Sequence, residues 1–229
     1  MKTNKVVVIT GASSGLGKEL AKLYLEKGYS LVLNGLHAEG LQEFQDKDNV
    51  EIVVGDLTKQ ETIENIAKVV TNSFGQVDIL INNAGIIYLQ PFEKNTSEQL
   101  DQILAINLKA PMLLTQKLYP FMVAKKKGLI ININSTSGKE PKLNQTMYNA
   151  TKFGLTGFTQ SLRLEAKQRN IRVLSIHPGG TITPLYDSLE APPDTTGFME
   201  AKRVAEIVVF LSETEGLSPD EIIVNRLSK

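Results

Sequence analysis

Short runs dominated by aliphatic residues recur along the chain at 6–9, 30–33, 51–54, 79–81, 129–133, 171–176 and 221–225. Each is too short for a helix and apolar at neighbouring positions, the pattern of a strand buried on both faces of a parallel sheet. Between them, near 15–27, 38–46, 59–74, 97–126, 147–169 and 201–213, apolar residues return at helical spacing. The alternation predicts a doubly wound α/β fold: seven parallel strands, helices on both faces, right-handed crossovers. No linker, repeat or low-complexity tract interrupts it, so 1–229 reads as one domain. The exception is 181–199, where Pro184, Pro192, Pro193 and Gly197 argue against regular structure. A loop of that length in a compact domain reads as a lid, here 184–199, over a site.

The first strand, Val6-Val7-Val8-Ile9, runs into Thr10-Gly11-Ala12-Ser13-Ser14-Gly15-Leu16-Gly17, and Leu16, Leu20, Leu23 and Tyr24 then repeat at helical spacing. The glycines therefore occupy a strand-to-helix turn. The first amides of a helix are unpaired and carry the positive end of its dipole, so an anion can dock there. Gly11 supplies a tight turn, Gly15 admits a phosphate close to the backbone, and Gly17 lets the helix lie against its strand. The spacing Gly-x-x-x-Gly-x-Gly departs from the dinucleotide fingerprint Gly-x-Gly-x-x-Gly, so the match is one of mechanism.

Composition narrows the classes. Twenty-five basic residues balance 25 acidic ones, which points away from a nucleic-acid groove or an anionic membrane surface. With no cysteine there are no disulfides, thiolate nucleophiles or cysteine-ligated metals. His37 and His177 are far apart and no metal motif is present, so no metal site is expected. The segment 1–9 is too short for a signal region or a membrane span, which makes the cytoplasm the expected compartment.

The end of the second strand should meet a dinucleotide's adenosine ribose, where an acid would favour NAD. The chain there reads Leu33-Asn34-Gly35-Leu36-His37, without acid or arginine. The missing acid favours NADP without excluding NAD; Ser13, Ser14, Asn34 and His37 are possible partners for a 2′-phosphate. In Gly55-Asp56-Leu57-Thr58, Asp56 reads as a cap for the next helix or an acceptor for an adenine amine, with Thr58 a rival cap. Asn82-Asn83-Ala84-Gly85 bends the chain near a ligand while the amides satisfy loop groups. Asn107, shortly before Pro111 in an otherwise helical run, suggests a kink or a held water.

Tyr148 and Lys152 stand four apart on one predicted helix face, and Ser135 ends a strand before them. An ammonium beside the phenol is expected to lower its pKa towards neutrality and make Tyr148 a proton donor and acceptor. Ser135 offers a hydroxyl to a carbonyl oxygen.

Over nearly its whole length the chain resembles the short-chain dehydrogenases/reductases. The motifs are 10–17, Asn82-Asn83-Ala84-Gly85, the set Asn107, Ser135, Tyr148 and Lys152 with 13 residues from serine to tyrosine, and His177-Pro178-Gly179-Gly180-Thr181-Ile182-Thr183. The resemblance implies a Rossmann fold and hydride transfer between NADP(H) and a small carbonyl or alcohol. Tyr148 would be the proton donor, Lys152 would tune it and bond the nicotinamide ribose, Asn107 would hold a water, and Ser135 would orient the substrate. Implied cofactor contacts are Gly11, Ser13, Ser14, Gly15, Leu16, Gly17, Leu36, His37, Asp56, Leu57, Asn83, Ala84, Gly85, Tyr148, Lys152, Pro178, Gly179, Thr181 and Thr183. The ending Val224-Asn225-Arg226-Leu227 lacks the Gly-Gly of many thioester and steroid reductases and looks more like the small reductases of hydroxy acids, diketones and sepiapterin-like carbonyls. Alternatives are a 3-oxoacyl-thioester reductase and a dinucleotide-sensing binding protein on the same fold; the intact tetrad argues against a sensor. The resemblance also implies a homodimer or homotetramer through helices 97–126 and 147–169, where Leu155, Phe158 and Leu162 suit an interface or the core. Tyr88, 139–144 and 185–199 are the expected substrate walls, with Leu143, Leu185 and Tyr186 pointing to a medium-sized, partly apolar carbonyl compound.

Overall fold

The computed structural model describes residues 5–214 and 216–226. Residues 1–4, the start of the segment considered above as a leader, and 227–229 of the closing segment lie outside these.

In chain order the elements are β1 (Val6–Ile9), α1 (Gly15–Glu26), β2 (Ser30–Gly35), β3 (Val50–Val54), α2 (Gln60–Val69), β4 (Ile79–Asn82), α3 (Ser97–Leu104), α4 (Ala110–Lys125), β5 (Gly128–Ile133), α5 (Thr146–Lys167), β6 (Ile171–Pro178), β7 (Thr181–Ile182), β8 (Met199–Glu200), α6 (Ala201–Glu213) and β9 (Glu221–Val224). Seven strands form one parallel sheet in the order β3-β2-β1-β4-β5-β6-β9. The chain winds outward from β1 one way, then from β4 the other. The order reverses between β1 and β4, and a crevice opens at the carboxyl ends of the strands.

Alternation along each strand divides the core into two layers. Val7 and Ile9, Ile79 and Ile81, Ile131 and Ile133, and Leu174 and Ile176 face α1 and α6. Val6 and Val8, Leu80, Ile130 and Val173 face α2 and α4. A third, smaller cluster of Ile87, Ile103, Met147 and Tyr148 lies beyond the strand ends, with Leu185 and Tyr186 packed on it.

Three helical stretches differ from the sequence pattern. The run 97–126 is two helices around a π turn, Ala105–Lys109. The wide turn contains Asn107 and puts Pro111 in the first turn of α4, where a missing N–H costs nothing. The run 59–74 ends as a π turn, Val70–Phe74, closed by Gly75 at φ 64°. The run 38–46 is a 3-10 turn, Glu39–Phe44, that buries Leu41 and Phe44; Gly40 lies so close to the glycine turn that a Cβ there would stand 2.2 Å from the Ser13 carbonyl oxygen.

The 181–199 segment is less irregular than its prolines suggest. β7 and β8 pair at its base, Met199 N donates to the Gly180 carbonyl (2.9 Å), and Pro184–Tyr186 makes a 3-10 turn. The Phe198 ring lies against Gly180, where a Cβ would meet it at 2.8 Å, and packs edge-on to Tyr186.

Candidate active site

Thr10 ends β1 and ties it to the β4 loop: its hydroxyl accepts from Asn83 N (3.0 Å) and Ala84 N (3.1 Å), while Asn83 Nδ2 donates to the Thr10 and Gly11 carbonyls. Gly11 at φ 64° makes the turn and Gly15 at φ 51° opens α1. Ser14, the N-cap, makes no side-chain capping bond, so the first amides of α1 are left for a ligand. A Cβ on Gly17 would lie 2.2 Å from the Gly11 carbonyl oxygen, and one on Gly15 would lie 2.9 Å from Thr183 Cβ. These glycines make a cradle that side chains would fill.

From this cradle a cavity of about 950 Å³ extends along the strand ends. Gly11, Ser13, Ser14, Gly15 and Leu16 line it at the turn; Leu36 and His37 follow β2; Asp56 and Leu57 follow β3; Asn83, Ala84 and Gly85 follow β4. Ser135, Tyr148 and Lys152 line its middle, and Pro178, Gly179, Thr181 and Thr183 its far wall. Two expected site residues are absent from the lining: Gly17, expected to contact the cofactor, which serves packing, and Asn107, expected to hold a water, which is fully buried behind the wall.

Several polar residues have other partners than the sequence suggested. Asn34 Nδ2 donates to the Val53 (3.0 Å) and Gly55 (3.1 Å) carbonyls, so its donors lock β2 to β3 and are not free for a phosphate. Asp56 accepts from Thr58 N (2.8 Å) within its own turn; neither residue caps α2, whose N-cap is Lys59. Asn107 Nδ2 donates to the Ile86 carbonyl (2.9 Å) and Thr151 Oγ1 (3.2 Å), and its Oδ1 accepts from Ile86 N (2.9 Å). Both amide donors of Asn107 are thus committed to protein. Tyr88 bonds Gln102 and Leu143 is 89% exposed; neither lines the cavity.

α5 presents Tyr148, Lys152 and three threonines to the sheet. Thr151, Thr156 and Thr159 each donate to a carbonyl one turn back and accept an asparagine amide from Asn107, Asn134 and Asn132. These bonds fix the rotation of α5 and hence the aim of its tyrosine and lysine. Lys152 Nζ donates to the Ile133 carbonyl (3.1 Å) and stands 5.6 Å from the Tyr148 ring centre. Burial holds the Lys152 ammonium down to about 8.

Burial also pushes the Tyr148 phenol well above its ordinary value, opposed by hydrogen bonding with the Ser135 side chain. This corrects the expectation that Lys152 brings the phenol towards neutrality. The ammonium sits over the ring face, and loss of hydration dominates.

His177, on β6, is completely buried; its Nδ1 lies 3.0 Å from the Ser135 carbonyl oxygen, which fixes the backbone at that serine. Burial holds the imidazole below its ordinary pKa.

The sequence reading missed Ile86, Ile87, Ile106, Gln145, Asn225 and Arg226, which also line the cavity. Their signal is positional, since each flanks a motif residue in the fold but carries no motif of its own. Among the described residues no helix is long and apolar enough to cross a membrane.

A short chain dehydrogenase family model matches residues 5–194. An uncharacterised oxidoreductase from Staphylococcus epidermidis is 32% identical over 223 residues, covering 96% of each chain. Among solved structures, the 3-ketoacyl-(acyl-carrier-protein) reductase from Brucella melitensis complexed with NADH superimposes with a TM-score of 0.88 at 30% identity, covering 96% of each chain. A metagenomic short-chain oxidoreductase in complex with NADP superimposes at 0.85 with 29% identity over 99% of each. A nicotinamide dinucleotide is thus the cofactor class of this fold, bound as NADH in one relative and as NADP in the other. With the family model spanning most of the chain, and relatives aligned nearly end to end, the protein belongs to the short-chain dehydrogenases and is an oxidoreductase.

Proposed function

We propose that this protein reduces a small carbonyl compound to the alcohol at the expense of NADPH, with Tyr148 as proton donor. The observation that carries the reading is the convergence of Ser135, Tyr148 and Lys152 on a cavity whose other end is the glycine cradle. That cradle, with its uncapped helix amides, fits a pyrophosphate, and the loops after β2 and β3 fit an adenosine. A bound reduced nicotinamide would supply a hydride to the carbonyl carbon.

The protein's part is the proton and the orientation. Ser135 holds the carbonyl oxygen against Tyr148, and the phenol, hydrogen-bonded with the Ser135 side chain, donates its proton as charge develops on that oxygen. Lys152 binds the nicotinamide ribose and balances the charge left on the phenol. Asn107 positions the 85–87 loop beside Lys152: Gly85 lies between them, where a Cβ would stand a tight 3.3 Å from Asn107 Oδ1 and 3.9 Å from Lys152 Nζ. NADP preference is supported by the absence of an acid after β2. A homo-oligomer is supported by Met112 on α4 and Phe153 on α5, exposed at 41% and 43%; a cytoplasmic location is proposed from composition.

Parallel titration of the purified protein with NADPH and NADH, followed by turnover on diketones, aldehydes and keto acids, tests the reading. Tighter NADPH binding with turnover supports it. Binding without turnover on any carbonyl would favour the sensor. Tyr148→Phe should lower turnover at least about a hundredfold while cofactor binding stays measurable; unchanged turnover overturns the proton-donor assignment.

A further inference from the structure

We propose that Lys142 and Arg226 form a carboxylate-binding pair at the substrate end of the cavity, so that the natural carbonyl substrate is a small keto acid and the product the matching hydroxy acid. This deepens the reductase reading and rests on it.

Both residues line the same cavity as Ser135 and Tyr148. Lys142 lies in the loop between Ser135 and α5, and its Nζ donates to Thr136 Oγ1 at 2.7 Å. An ammonium is thereby held beside the residue next to the carbonyl-orienting serine. Arg226 follows β9; its guanidinium lies over the Phe198 ring, 5.5 Å from the centroid, and Nη1 donates to the Thr196 carbonyl (3.4 Å). The lid thus fixes the arginine at the mouth. Partial loss of hydration is the main influence lowering the Lys142 pKa; Glu140 opposes it, and Arg226 is close enough to add a smaller lowering of its own.

The ion pairs among the described residues involve neither cation. Glu140 and Asp194 act on them from exposed positions, and Asp187 is the lid carboxylate that lines the cavity. Two like charges facing one cavity raise each other's free energy, and an anion between them reverses that. Among the described residues, one of five donors on the guanidinium and one of three on the ammonium are used.

A cofactor phosphate does not account for the pair. The pyrophosphate cradle follows β1 and the ribose end follows β2, whereas Arg226 follows β9, four strands from β1, roughly 19 Å across the sheet. In the reaction the ketone carbon gains the hydride, its oxygen gains the Tyr148 proton, the cofactor is oxidised by two electrons, and the carboxylate is unchanged.

The test compares kcat/KM for α-, β- and γ-keto acids with those for their methyl esters, and for a neutral β-ketoacyl thioester, using the purified full chain and NADPH. Wild type should prefer at least one acid to its ester about tenfold or more. Lys142→Gln and Arg226→Gln should each raise KM for the acid about tenfold, with kcat within about threefold and the ester little changed. Arg226→Lys should retain most of the acid preference, which separates charge from lid packing. Each variant's cofactor titration shows that it is folded. If one fails to fold, inhibition of wild type on a neutral diketone decides: simple carboxylates should compete and their amides should not. Equal or better use of the esters or thioester, or equal loss on acid and ester in the variants, overturns the carboxylate pair while leaving the reductase intact. No turnover on any carbonyl despite cofactor binding overturns the reductase reading, and the pair with it.

Discussion

Lys152 shows how burial sets chemistry at a single residue. With its ammonium held at about 8 against 10.5 when unfolded, the unfolded chain binds more protons between those values. Stability therefore rises with pH across that window and is flat below it. Wild type should gain stability relative to Lys152→Met from pH 8 to 10.5 in matched denaturant titrations; parallel curves would show that Lys152 is not desolvated. Activity should run the other way. As pH rises through about 8 the ammonium is lost, so kcat/KM for the cofactor should fall near pH 8 in wild type, and this limb should be missing in Lys152→Met. Gly17 carries a steric prediction. Its Cβ would meet a backbone oxygen at 2.2 Å, and backbone does not yield as a side chain does. Gly17→Ala should cost about 1–3 kcal/mol and weaken cofactor binding, read by thermal melting and titration.

At the scale of elements, α5 is docked by polar rather than purely apolar contacts. Thr156 Oγ1 donates towards the Lys152 and Gly138 carbonyls and accepts Asn134 Nδ2 at 2.8 Å, all buried. Thr156→Val keeps the shape and leaves the Asn134 amide without that acceptor, which should cost about 1–3 kcal/mol. The urea midpoint should fall with an unchanged slope, and turnover should fall with it because the same helix aims Tyr148 and Lys152. Thr156→Ser should restore both. A valine variant as stable as wild type would mean that the amide finds another partner. The π turn at 105–109 belongs to this arrangement, since it brings Asn107 within reach of both Ile86 and Thr151.

Across the whole molecule, the apolar residues left on the surface indicate where copies would meet. Leu155 is interior and Leu162 packs on the core, whereas Phe153, one helix turn before Gly157, faces outward. Phe153→Asp should shift the species seen by sedimentation towards monomer; a wild type that is already monomeric at micromolar concentration would overturn the proposed homo-oligomer. Burial of such faces would also tie site geometry to assembly, because α5 supplies both.

The strands, their parallel arrangement and the glycine turn after β1 were legible in the chain because each depends on local rules. Aliphatic runs of three to six residues mark doubly buried strands, and glycines between strand and helix mark a tight turn at a helix start. That Ser135, Tyr148 and Lys152 would lie near one another was legible through spacing and a family pattern, and they do line one cavity. Partners across the sheet were not. Asn34 reads as free for a phosphate in the sequence, but Val53 and Gly55 lie alongside it, and the phenol that Lys152 was expected to tune is instead raised by burial. Arg226, after β9 and with no motif of its own, reaches Phe198 and comes within electrostatic range of Lys142 only because β9 takes the sheet edge beside β6 and the 184–199 segment lies against it. Local sequence determines which groups are present and how the backbone beside them bends. Desolvation and pairing depend on neighbours distant in the chain, and only the tertiary structure decides those.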